Sequence, residues 1–126
     1  MSNKQLSEHF QEEEFLCRHC GAGVGKIDPR LISLLEEVRR AFGRPIRIAS
    51  GYRCPVHNSD VGGAPQSAHL TGEAADIFCV FPGDRFQLLD ALFNIGACRV
   101  GIGTSFIHVD VSRSLPPNVV WTYGGE

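Results

Sequence analysis

The chain has 126 residues, 43% of them hydrophobic and 21% charged, an ordinary globular mixture sufficient for one compact domain with one core. Its 12 basic and 14 acidic residues leave a formal net charge of -2, which gives no electrostatic reason to expect a nucleic-acid or anionic-membrane partner. No apolar run approaches the roughly 20 residues a membrane-spanning helix needs, so membrane insertion is not expected.

In chain order, residues 1–27 read as irregular, with small clusters of charge and glycine. Met1 to Glu14 is polar and acidic and lacks the apolar centre of a secretory signal, so the expectation is synthesis in the cytoplasm without a signal peptide. A helix follows. Asp28 is a good N-cap, Pro29 suits the first helical position, and Leu31, Leu34, Leu35, Val38 and Phe42 recur at helical spacing before Gly43. Ile46 to Ser50 alternates like a strand. Gly51 to Gly72 is rich in turn residues (Pro55, Gly62-Gly63, Pro65) and does not read as one continuous helix. Ala74 to Val80 reads as a buried strand. Asp84 is positioned to cap a second helix carrying Phe86, Leu88, Leu89, Leu92 and Phe93, ending near Gly96. Arg99–Ile102 and Phe106–Val111 read as short strands, with a last one at Val119–Tyr123. The order is not a βαβ repeat, so the expected class is α+β, with helices packed on one face of a small, mainly antiparallel sheet.

The residues that stand out chemically are His69, Asp76 and His108. Two neutral imidazoles and a carboxylate suit Zn2+, and three protein ligands leave the fourth tetrahedral corner open, as in a catalytic site. On strands, Ala74, Asp76 and Phe78 share one face, as do His108 and Asp110, so neighbouring strands bring Asp76 and His108 to one ion. Gly72 lets the preceding loop turn back with His69. Asp110 is the nearest carboxylate on that face, and it either activates water or orients an imidazole. Five cysteines without a signal peptide argue against a disulfide framework. Cys79 and Cys98, in apolar stretches, read as buried thiols. Cys17-Arg18-His19-Cys20 and Cys54-Pro55-Val56-His57 leave two readings open. Either Cys17, Cys20, Cys54 and His57 hold a second, structural zinc, or the thiols are free and His57 belongs to a substrate cleft.

The pattern Ser67-x-His69-x-x-Gly72-x-Ala74-x-Asp76, followed by His108-Val109-Asp110, resembles the zinc motif of the zinc DD-peptidase family. That family includes D-Ala-D-Ala carboxypeptidases and phage L-alanoyl-D-glutamate endopeptidases. Ser50-Gly51-Tyr52-Arg53-Cys54-Pro55-Val56-His57-Asn58, Gly62-Gly63 and Glu14-Phe15-x-Cys17 extend the likeness over nearly the whole chain. The resemblance implies a hedgehog/DD-peptidase-like fold in a single domain, residues 1–126, with zinc on His69, Asp76 and His108. It also implies hydrolysis of a peptide bond in the peptidoglycan stem peptide by a monomer that reaches the cell wall by other means, in a bacterial or phage setting. Arg53 matches the family arginine and would bind substrate oxygen and developing negative charge; Ser67 and His57 join it as substrate-binding candidates. Ser67 otherwise shapes the loop. The resemblance also implies an acidic residue three positions before His108, where this chain has Ser105. That departure motivates an alternative, a zinc-holding module that binds cell-wall peptide or a phage-structure partner without turnover.

Overall fold

The strongest helical signal becomes α1, Pro29–Phe42. Asp28 caps it, its Oδ1 accepting from the Arg30 N–H at 2.8 Å, and Gly43 ends it with a φ of 78°. Leu31, Ile32, Leu35 and Val38 bury the inner face. The computed structural model describes residues 4–123, so the first and last three residues of the expected 1–126 domain lie outside the described residues.

Strands β1 (Ile48–Ser50), β2 (Ala74–Phe78), β3 (Arg99–Ile102), β4 (Phe106–Asp110) and β5 (Val119–Thr122) form one sheet in the order β1-β2-β4-β3-β5. Only the β3–β5 pair is parallel. Ala75, Ile77, Val100, Ile107 and Val109 point to one face and join α1 side chains with Leu88 and Leu92 of α3 (Pro82–Asn94) in a single core. The fold is thus α+β, with helices covering one face of a mainly antiparallel sheet.

Several elements differ from the sequence reading. α3 begins at Pro82 with Phe81 as its N-cap, so Asp84 lies in the first turn and pairs with Arg44 at 3.0 Å instead of capping. Phe86 and Phe93 are exposed, because Leu88, Ala91 and Leu92 define the buried side and the two phenylalanines stand opposite. β1 starts at Ile48 rather than Ile46, and its register with β2 slips between Ile48 and Ser50. Within the turn-rich stretch there are two short pieces, α2 (Pro55–Asp60) and a 3-10 turn at Ala68–Thr71. Cys79 is buried but Cys98 is exposed: neighbouring Ala97 packs inward, so the next side chain faces out.

The N-terminal segment is mostly irregular yet firmly attached. Phe10 and Phe15 are buried edge to face, with ring centroids 5.9 Å apart. Glu36 on α1 accepts from the backbone N–H of His9 at 2.7 Å and from the Ser7 hydroxyl, and its other oxygen meets His9 Nδ1 at 2.7 Å.

The Asp28 cap gives a stability prediction. Burial alone would raise its carboxyl, but the Arg30 guanidinium and N–H outweigh that and hold it below its ordinary 3.8. The folded value is the lower one, so the stabilisation is full above about pH 4 and fades on acidification. Asp28→Ala should lower the unfolding free energy by about 1–2 kcal/mol near neutral pH. Urea denaturation should show that deficit shrinking as the pH falls towards about 3.

Candidate metal centre

The face of the sheet opposite the core carries the polar residues. Asp76 on β2 and His108 on β4 are direct cross-strand partners, so strand alternation puts both side chains on the same outer face. His69 arrives from the 3-10 turn before β2. Ser67 caps that turn, its Oγ accepting from the His69 N–H at 3.2 Å. Gly72 closes it with a φ of 74°, and a Cβ there would lie 1.8 Å from the Lys26 carbonyl oxygen, so only glycine fits. The same residue ties the turn to α1, the Asp28 N–H donating to its carbonyl at 2.9 Å.

His69, Asp76 and His108 are all buried, and their potential ligand atoms lie within 4.8 Å of one another. The hydrogen bonds decide which atoms face inward. His69 Nδ1 lies 2.7 Å from the Gly51 carbonyl, which can only accept, so Nδ1 carries the proton and Nε2 offers its lone pair beside Asp76 Oδ1 at 3.2 Å. His108 Nε2 donates to Asp110 Oδ2 at 2.7 Å, which turns Nδ1 towards Asp76 Oδ1 at 2.9 Å. Each imidazole is therefore oriented by an acceptor on its outer edge, the usual support for a metal-bound histidine. The set His69 Nε2, Asp76 Oδ1 and His108 Nδ1 fits Zn2+ in donor type and number.

For Asp76 and His69, electrostatics favour the same assignment. Burial would raise the Asp76 carboxyl, but hydrogen bonds from His108 and His69 more than offset it and keep the group ionised, far below the usual carboxylate range. Burial lowers His69, so that ring is neutral and its lone pair is available. For His108 burial also opposes the charged form, but Asp110 and Asp76 outweigh it and raise the pKa. Each carboxylate also meets an arginine: Arg53 Nη2 lies 3.1 Å from Asp76 Oδ2, and Arg99 Nε lies 2.8 Å from Asp110 Oδ1. Two carboxylates and two guanidiniums balance, so a bound Zn2+ leaves the site net positive.

The centre opens into a cleft of about 550 Å³, lined among others by Arg53, Ser67, Trp121 and Tyr123. Of the residues singled out in the sequence, His69, Asp76, His108, Asp110, Arg53 and Ser67 come together here. His57 does not line the cleft; its ring stacks on His19 with centroids 6.0 Å apart. Asp110 has both oxygens occupied, Oδ2 by His108 and Oδ1 by Arg99 and the Ser112 N–H. Ser105 is exposed at the β3–β4 turn, where its carbonyl accepts from the Cys79 N–H at 2.9 Å.

Four contributors went unnoticed in the sequence. Arg99 anchors Asp110. Buried Asn58 holds Arg53 Nη1 through Oδ1 at 3.3 Å. Trp121 sits over the side-chain-free Gly101 with its ring centroid 5.3 Å from that of His108, and Tyr123 packs on Phe106 at 5.0 Å. The signal for the aromatic pair was the alternation Val119, Trp121, Tyr123 on a last strand, which puts both rings on one face.

A buried pair of imidazoles with one carboxylate, opening on a cleft that holds an arginine, is a set of residues that could hold one metal ion beside a recess. A model of the family described as Peptidase M15 matches residues 8–110, and the chain belongs to that family. Among curated proteins the chain is similar to the zinc D-Ala-D-Ala carboxypeptidase of Streptomyces albus G, 46% identical over 44 residues. The match spans 34% of this chain and only 17% of that relative.

His69→Ala should remove one equivalent of bound zinc by elemental analysis while the far-ultraviolet circular dichroism stays unchanged. Asp110→Asn keeps every metal ligand but weakens the orientation of His108, and zinc affinity in competition with a chelator should fall about 10–100-fold.

Proposed function

We propose that this protein hydrolyses a peptide bond in the stem peptide of bacterial peptidoglycan. The observation that carries the reading is the convergence of His69, Asp76 and His108 beside Arg53 in an open cleft. Bound at that trio, Zn2+ supplies a Lewis acid and brings the pKa of water down to roughly 7. Arg53 is held by Ser50 Oγ, Asn58 Oδ1 and Asp76 Oδ2. Three bonds leave two of its five N–H groups to bind a substrate carbonyl or carboxylate oxygen and to stabilise charge developing there. Asp110 keeps His108 in the tautomer that presents Nδ1. Burial pushes the Tyr123 hydroxyl up to about 12, so it stays protonated and can donate a hydrogen bond to the peptide. Trp121 and Leu115 supply apolar wall.

The finer reading is removal of a C-terminal D-amino acid, a DD-carboxypeptidase reaction. It is supported by the relative's activity and by the net positive charge of the loaded site, which suits a terminal carboxylate. Endopeptidase cleavage within the stem is the other outcome of the same test. No helix among the described residues is long and apolar enough to cross a membrane.

Two observations favour a second reading, a zinc-holding peptide-binding module without turnover. Ser105 stands where a carboxylate base is expected, and both Asp110 oxygens are engaged. The two readings separate cleanly. Incubation of the zinc-loaded protein with purified muropeptides, followed by mass spectrometry, should release D-alanine; binding with products at background across the pH range would support the module instead. Arg53→Ala should lower kcat/KM by about 10²–10³-fold. In the module reading, Ser105→Asp would create hydrolysis where the parent has none.

A further inference from the structure

We propose that Cys17, Cys20 and Cys54, completed by His19, hold a second, structural Zn2+ that clamps the N-terminal segment to the loop carrying Arg53. The sulfurs of the three cysteines lie within 4.8 Å of one another. A tetrahedral site with Zn–S bonds of about 2.3 Å has sulfurs roughly 3.8 Å apart, so only a small closure is needed. A disulfide would use two of the three sulfurs and leave the third without a partner; a metal uses all of them.

The turn that presents the first two is fixed by the backbone. The Cys17 N–H donates to the Ala22 carbonyl and the Gly21 N–H to the Cys17 carbonyl, both at 2.8 Å, with Gly21 at a φ of 77°. The third sulfur comes from the N-cap of α2. The Cys54 N–H points at Cys17 Sγ and the His57 N–H at Cys54 Sγ, each at 3.4 Å. N–H groups aimed at sulfur favour thiolate, the form a metal takes.

The fourth ligand is His19 rather than His57. His19 Nδ1 lies 3.8 Å from Cys54 Sγ, near the roughly 3.5 Å separation of a sulfur and a nitrogen on one zinc. The His57 backbone N–H donates to Cys54 Sγ, and its ring stacks on that of His19, 2° from parallel with centroids 6.0 Å apart. His19 is thus taken as the fourth ligand where the sequence reading offered His57.

Such a clamp meets a structural need. Among the described residues before α1, regular structure is limited to the 3-10 turn Glu12–Phe15 and an isolated bridge between Gln5 and Gln11. A metal there supplies folding energy the segment's own hydrogen bonds do not. It also fixes Cys54, the neighbour of Arg53, without touching the trio at His69, Asp76 and His108.

Elemental analysis and cobalt substitution of the full chain test this separately from peptidase activity. The parent should hold two zinc equivalents, and Cys20→Ser and His69→Ala one each; Cys20 is exposed, so its replacement leaves the core intact. The cobalt protein should show a thiolate-to-cobalt charge-transfer band that Cys20→Ser loses and His69→Ala keeps. Cys20→Ser should also lower Tm by on the order of 5–10 °C. His19→Ala should release this metal to a chelator at least about tenfold faster, and His57→Ala should not. A parent with one equivalent and no charge-transfer band, or a Cys20→Ser variant that retains both metals, would overturn the site. Faster release from His57→Ala alone would overturn the assignment of His19.

Discussion

The pairing of Asp76 with His108 across β2 and β4 is the constraint on which the rest of the structure depends. Their neighbours Ala75, Ile77, Ile107 and Val109 are essentially inaccessible to solvent on the other side of the same two strands. Because side chains alternate, a slip of one residue would carry the ligands into the core and expose the apolar set. The core and the metal centre therefore enforce the same register, and neither can be shifted without losing the other.

The remaining parts of the centre are attached to that pair by backbone geometry. His69 depends on the tight passage of Gly72 under the Lys26 carbonyl, which links the turn to the start of α1. The Arg53 N–H donates to the His69 carbonyl at 3.0 Å, so the arginine and the first histidine are positioned on each other. The hydrogen bonds that the outer ring edges donate to Gly51 and Asp110 set which nitrogens face the cation. Side chains far apart in sequence thus arrive with their protonation already arranged.

Much of this was legible in the residues themselves. α1 is fully specified locally by Asp28, Pro29, its apolar stripe and Gly43. The convergence of Asp76 and His108 follows from strand alternation once the two strands are neighbours, and the Gly72 turn brings His69 to them, in keeping with the resemblance to the zinc DD-peptidase motif. What failed had non-local causes. Phe86 and Phe93 fit a helical stripe as well as Leu88 and Leu92 do, and only the position of α1 decides which side is covered. Arg99 and Asn58 look like surface residues until tertiary contacts place their partners. The parallel placement of β5 beside β3 is a topological fact that no short window contains.

β5 is an edge strand, held by one ladder to β3 and two strands removed from His108 by sheet order. It lies beyond the segment matched by the family, yet it delivers Trp121 and Tyr123 to the cleft wall. Substitutions there can re-contour the recess over an unaltered cation. The contour of the recess and the grip on the ion are in this way assigned to different strands, and evolution is free to adjust the first while leaving the second alone.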